Sequence, residues 1–215
     1  MKNFAIVLSG CGVYDGAEIQ ESVTAMLAVC RKGHNYQVFA PDIPHHHVVN
    51  HLTGSEMPEK RNVLIEAARI ARGNIKDLTA FDPSQYDVLL FVGGFGAAKN
   101  LSDFAIKGEN YTVIAQVAHA IEAMHRAGKP IGAMCVSPVL IADVIKGVEL
   151  TLGTPCGASE AAEKHGAMHK ITTHGEVVVD RKNKVASTPC YMLDATIAQV
   201  SLGAEHIVDE LLKLL

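Results

Sequence analysis

The run Gly132-Ala133-Met134-Cys135-Val136-Ser137 sets a cysteine between small residues, with Ala133 two positions before it and Ser137 two after it. Small flanks at these offsets are what a nucleophile elbow requires, because its central residue adopts a strained backbone conformation and neighbouring strands crowd both sides. A thiol held at the start of a helix also meets free amides and the positive end of the dipole, which favour thiolate and lower the pKa. On these grounds Cys135 is expected to be the most reactive of the five cysteines, the others being Cys11, Cys30, Cys156 and Cys190. The ordinary fate of a buried cysteine is to be an inert packing residue, so the elbow needs partners.

Two other turns offer them. Gly93-Gly94 ends a strongly apolar run, and the Gly94 amide together with that of Val136 would form an oxyanion hole facing Cys135. Glu18 and Glu21 lie three apart in the first turns of a helical segment and share a face, so either carboxyl could reach the cysteine. Acidic residues at a helix start also serve simply to complement the dipole. The loop Gly10-Cys11-Gly12-Val13-Tyr14-Asp15-Gly16 resembles a dinucleotide fingerprint but carries Asp15 where the third glycine belongs; it is expected instead to line the cysteine pocket, with Cys11 or Tyr14 pointing inward. His45, His46, His47 and His51 sit in a loop without a carboxylate or cysteine at ligand spacing, and Gly166 interrupts the helix that would align His165 and His169 with His174. Neither set makes a metal site, and no cofactor is expected.

These turns need a scaffold of buried strands. Phe4 to Ser9, Asp87 to Val92 and Pro130 to Met134 are short, nearly continuous apolar runs, the mark of parallel strands covered on both faces. Tyr36 to Ala40 is a further strand, and shorter extended runs fall at Glu149 to Leu152, Lys170 to Thr173, Glu176 to Val179 and Lys184 to Ser187. Helical spacing covers Ala17 to Lys32, Glu59 to Arg72, Val113 to Ala127, Val136 to Ile145 and Met192 to Leu214; Ile43 to Met57 reads as a loop. Ile197, Val200, Ile207, Leu211 and Leu214 of the last helix belong to the core or to a dimer surface. The alternation predicts an α/β protein with a mostly parallel, doubly wound sheet in one domain over residues 1–215, its ligands beyond the carboxyl ends of the strands.

Composition narrows the partners. Lys and Arg number 19 against 23 Asp and Glu, a formal net charge of -4 with the signs interspersed, so there is no basic face for nucleic acid or for anionic lipid. An odd number of scattered cysteines suits reduced thiols, and a first strand at Phe4 leaves no room for a signal peptide; cytoplasmic location is the expectation.

In chain order, Gly16-Ala17-Glu18 to Glu21, Gly93-Gly94 with Asn100-Leu101-Ser102, and Ala133-Met134-Cys135 resemble the PfpI superfamily of class I glutamine amidotransferase-like proteins. The phrases LSGCGVYDG, HLTG, RNVLIEAARI, GGFGAAKNLS, AGKP and TPCYML are similar to its enhancing lycopene biosynthesis branch, also called glyoxalase ElbB or sigma cross-reacting protein. The resemblance implies a flavodoxin-like three-layer sandwich, a link to isoprenoid biosynthesis and a homodimer. It matches Cys135 to the nucleophile, Glu21 to its carboxyl partner, and Gly94 and Val136 to the oxyanion amides, with Glu18, Cys11, Tyr14 and Gly93 as secondary pocket residues. The implied activity is a cofactor-free glyoxalase, or a deglycase by the same chemistry, acting on a small aldehyde through a hemithioacetal on Cys135. Two departures stand out: Val136 follows the cysteine where many members have histidine, and Gly153-Thr154-Pro155 stands where others carry one. An oxidisable-thiol stress protein is the rival reading that those departures favour.

Overall fold

A computed structural model describes all 215 residues. The chain runs β1 (Asn3–Val7), α1 (Ile19–Arg31), β2 (Asn35–Ala40), β3 (Val48–Val49), β4 (Glu56–Met57), α2 (Val63–Ile70), β5 (Ile75–Asp77) and β6 (Val88–Phe91). It continues through α3 (Phe95–Lys99), α4 (Phe104–Lys107), α5 (Ala115–Arg126), β7 (Ile131–Met134), α6 (Pro138–Val144), β8 (Glu149–Leu150), α7 (Gly157–Lys164), β9 (Met168–His169), β10 (Val178–Asp180), β11 (Val185–Thr188) and α8 (Ile197–Lys213). Seven strands form one sheet in the order β10-β11-β7-β6-β1-β2-β5, parallel throughout except for the antiparallel edge strand β10. β1, β6 and β7 are the apolar runs the sequence marks, and every residue of β6 and β7 is buried. Helices cover both faces, with α1 packed along α8 on one and α5 and α6 beneath β6 and β7 on the other. This is the flavodoxin-like three-layer arrangement.

Several boundaries differ from the sequence reading. α1 starts at Ile19 because Glu18 is extended and caps it, and α2 starts at Val63 because the Asn62 side chain accepts the Ile65 N–H at 3.0 Å. Ile43 to Met57 is not wholly a loop: β3 and β4 pair antiparallel within it. Lys170 to Thr173 forms no strand, the pairing partner of β8 being Met168–His169 just before it. α8 begins at Ile197 rather than Met192, since the reciprocal capping of Thr196 and Gln199 sets its start. Val200, Ile207 and Leu211 of α8 are core and Leu214 is buried, whereas Ile197 is exposed. β5, α3, α4 and α7 have no counterpart in the sequence reading; each is too short to display a period.

Asn100, just past α3, ties together the loops above the sheet. Its amide donates to the Ser9 carbonyl at 2.9 Å and the Asp15 carbonyl at 2.8 Å, and its Oδ1 accepts the His46 N–H at 2.9 Å. All three bonds span loops remote in sequence, and the side chain is buried. Replacing Asn100 with Ala leaves those groups unpaired and is expected to lower unfolding free energy by ~2–4 kcal/mol in urea titration. A change within ~0.5 kcal/mol would mean the loops are held by other contacts.

Candidate active site

β7 ends at Met134, and Cys135 follows with φ 58°, a left-handed conformation that a side-chain-bearing residue adopts at a cost of ~1–3 kcal/mol. The neighbours hold it there. The Cys135 N–H donates to the Thr188 carbonyl at 3.0 Å on β11, and the buried Ser137 hydroxyl donates to the Val92 carbonyl at 2.7 Å after β6. The elbow is therefore bolted to a strand on each side, as its small flanking residues foretold.

Glu21 is completely buried in the first turn of α1 and faces this thiol. Its Oε1 accepts the Tyr191 N–H at 3.2 Å, while Oε2 is buried beside Cys135 and Gly93 with no regular hydrogen-bond partner. The packing is so close that a Cβ on Gly93 would collide with Cys135 Cβ and stand 2.5 Å from Glu21 Oε2. Gly93 thus belongs to the site through what it lacks. Gly94, with φ 99°, could carry no side chain either, because a Cβ would strike the Glu18 N–H and the Gly16 carbonyl. Its neighbours are pinned to the first loop: the Glu18 N–H donates to the Gly93 carbonyl at 2.9 Å, and the Phe95 N–H to the Val13 carbonyl at 2.8 Å. The amides of Gly94 and Val136 point instead at the Cys135 sulfur. Both positions assigned to the oxyanion hole are where donors to a reacting oxygen would have to be.

Electrostatics correct one expectation. Burial, followed by the neighbouring Glu21 carboxyl, raises the Cys135 pKa well above that of an ordinary thiol, and the Gly94 and Val136 amides only partly offset this. A lowered pKa was expected from a helix start, but α6 begins three residues on, at Pro138, and the solvent that would support a thiolate is excluded. Burial, then the charge of Glu18, pushes Glu21 up to about 8 against the pull of the Tyr191 N–H. The carboxyl is therefore protonated at neutral pH, a donor facing sulfur. Glu18 is not the partner: it caps α1, accepting the Glu21 N–H at 2.6 Å, and acts on the thiol only through Glu21.

Two secondary residues are misplaced by the sequence reading. Val13, not Cys11 or Tyr14, lines the cysteine pocket. Cys11 lies on the other side of the loop, near Asp15, Glu66 and Arg69, and Tyr14 leans on His51 with ring centroids 4.9 Å apart. Gly10 and Gly12 both turn in the left-handed region, at φ 112° and 117°, which spacing alone does not reveal. His165 is bonded to Asp143 at 2.9 Å and stacked on Tyr111, remote from Cys135.

The pocket above Cys135 measures about 420 Å³, and nine of its eleven lining residues are hydrophobic, among them Val13, Phe95, Phe104, Ala158 and Met192. It contains no histidine and no charged side chain. Residues 190 to 192 are the part of the site that the sequence reading missed as such: Cys190, itself left-handed at φ 43°, turns the chain so that the Tyr191 N–H meets Glu21. The phrase TPCYML carried that signal, but only as a mark of kinship.

Comparison with known proteins gives the family and the fold. No family model matches the chain. Glutamine amidotransferase-like class 1 domain-containing protein 3, mitochondrial, of Homo sapiens is 44% identical over 220 residues, spanning 98% of this chain and 82% of the relative. The ES1 protein, mitochondrial, of Danio rerio is 34% identical over 207 residues, spanning 88% and 77%. The chain belongs to this glutamine amidotransferase-like class 1, or ES1, family. A solved member, the isoprenoid biosynthesis protein with amidotransferase-like domain from Ehrlichia chaffeensis, superposes with a TM-score of 0.92 at 33% identity, covering 99% of this chain and 100% of that one. Glyoxalase III from Candida albicans shares the fold, with a TM-score of 0.62 at 16% identity over 97% of both chains. Family members named mitochondrial leave the cytoplasmic expectation without support, and no helix here is long and apolar enough to cross a membrane.

Two outcomes follow from the protonated pair. A carboxyl whose pKa rises from 4.5 unfolded to about 8 folded stabilises most below the unfolded value, and that stability is lost as pH rises through the folded one. Relative to Glu21→Gln, the parent should therefore lose stability across that window, by at most ~1.4 kcal/mol per pH unit, in denaturant melts taken at each pH. Parallel profiles would show that Glu21 ionises freely. Brief substoichiometric iodoacetamide at neutral pH should mark exposed Cys30 before Cys135, as read by peptide mass spectrometry. Cys135 labelled first would contradict the burial-raised pKa.

Proposed function

We propose that this chain is a cofactor-independent glyoxalase, converting a 2-oxoaldehyde to a 2-hydroxy acid through a hemithioacetal on Cys135. The observation that carries the reading is the buried Glu21 carboxyl set against the thiol, with the Gly94 and Val136 amides also directed at the sulfur. The reactive form is the pair with one proton removed. Sulfur forms a bond to the aldehyde carbon, the carbonyl π bond breaks, and the oxyanion takes the remaining proton from Glu21. The Glu21 carboxylate then removes the hydrogen on that carbon and returns it to the neighbouring one, while the hydroxyl proton passes between the two adjacent oxygens. The result is a thioester of the 2-hydroxy acid. Water adds to it, the carbon–sulfur bond breaks and the sulfur is regenerated. Carbon two is reduced as carbon one is oxidised, so no external oxidant is required.

One carboxyl performs every proton transfer in this scheme, and such groups typically contribute a factor of ~10² to 10⁴. Activity should accordingly be present but modest. Glycated amines, whose hemithioacetals follow the same path, are a possible substrate by chemistry alone, yet the pocket offers no charged group to hold a lysine or arginine stem. The physiological setting we assign is the isoprenoid biosynthesis named for the Ehrlichia chaffeensis relative. A second reading, Cys135 as an oxidisable thiol in a non-enzymatic stress protein, is favoured by one observation, the absence of histidine from the pocket lining.

Cys135→Ala should abolish turnover of methylglyoxal, and Glu21→Gln should lower kcat by ~10²- to 10⁴-fold with substrate binding kept, each at matched foldedness in a melting curve. In the parent, kcat/KM should climb with pH and level off near the pair's ionisation at about 8. A Cys135→Ala rate equal to the parent's would select the oxidisable-thiol reading.

A further inference from the structure

The cavity over Cys135 is far larger than the aldehydes usually paired with such chemistry, and its wall has a single character. At ~30 Å³ per heavy atom, the share of a water molecule in the liquid, methylglyoxal fills about 150 Å³. The pocket measures about 420 Å³. The difference is room for roughly nine further heavy atoms at the same packing. Val13, Phe95, Phe104, Ala158 and Met192 present hydrocarbon to that space.

The polar side chains that border it are already engaged. The Tyr191 hydroxyl donates to Gln20, and the Tyr191 N–H is held by Glu21. Cys156 accepts the Ser159 N–H at the start of α7. The Gly94 and Val136 amides are directed at the Cys135 sulfur, where the reacting oxygen would sit. A substituent carrying charge or several hydroxyls would lose water at this wall and find no charged side chain to pair with, whereas an alkyl or aryl substituent gains by the same transfer. The site thus separates sharply into a polar point for one carbonyl and an apolar chamber for whatever is attached to it.

Resting on the glyoxalase reading, we infer that the preferred substrates are 2-oxoaldehydes bearing an uncharged apolar substituent of up to about nine carbons, with glyoxal and methylglyoxal as poor, undersized cases. The chamber supplies binding energy remote from the reacting carbon, and part of it is available to position that carbon over sulfur.

The test uses the whole parent protein and a series of probes: methylglyoxal, 2-oxobutanal, 2-oxohexanal, 2-oxooctanal, phenylglyoxal, and 2-oxooctanal ending in a carboxylate. Cys135→Ala, run in parallel, supplies the uncatalysed blank for each. The expected result is a kcat/KM that rises about fourfold per added methylene, the transfer free energy of one CH₂, until the chamber is full. The terminal carboxylate should cost on the order of a hundredfold against the alkyl probe of equal length, since its charge is buried unpaired. Equal kcat/KM across the alkyl series, with turnover clearly above the blank, would overturn the substrate preference and leave the glyoxalase reading intact. No turnover of any probe above the blank would overturn both. A carboxylate probe that matches its alkyl counterpart would overturn the claim that the chamber selects against charge.

Discussion

A carboxyl group and a thiol, neither with a cation to balance it, are buried against each other where β7 turns into α6. Water is excluded, so both prefer to keep their protons, and the carboxyl answers to burial first and to its neighbour Glu18 second. The rest of the site exists to impose this contact. Gly93 makes room for it, Tyr191 holds one oxygen of the carboxyl, and the strained backbone at Cys135 and at Cys190 brings both sides into reach. Such strain persists only where surrounding structure over-determines it, and here the bonds from Cys135 to Thr188 and from Ser137 to Val92 do so.

The same contact sets a tension between nucleophilicity and protection. A thiol in bulk solvent would ionise more readily but be exposed to oxidants and adventitious electrophiles. Inside this pocket ionisation of the thiol is disfavoured, and the Gly94 and Val136 amides only partly offset that. Val136, next to the cysteine, keeps the surroundings apolar, and Glu21 is the carboxyl that faces the thiol. The apolar chamber follows from the exclusion of charged side chains from the floor and wall of the cavity.

The scaffold delivers these groups by topology. β1, β6 and β7 lie adjacent in the sheet, so the loops that follow them converge at one edge. Gly10 to Glu18, Gly93-Gly94 and the Cys135 elbow are brought together although they are separated by some of the longest intervals in the chain. Asn100 then fastens the first of those loops to the histidine-bearing segment, which gives a residue of the family's GGFGAAKNLS phrase a structural duty.

Much of this was legible in the amino-acid sequence, for a local reason: buried parallel strands must be apolar on both faces, and an elbow must have small flanks, so β1, β6, β7 and Cys135 announce themselves. Glu21 was legible only as one of two carboxyls on a helix face, and kinship singled it out. The sequence could not show that Glu18 is consumed in capping α1, that Val13 rather than Cys11 or Tyr14 enters the pocket, or that the Cys135 pKa is raised rather than lowered. Those outcomes depend on which atoms meet and how much water they lose when distant segments pack. Periodicity and spacing report one segment at a time; desolvation and shape belong to several at once, and only the tertiary structure decides them.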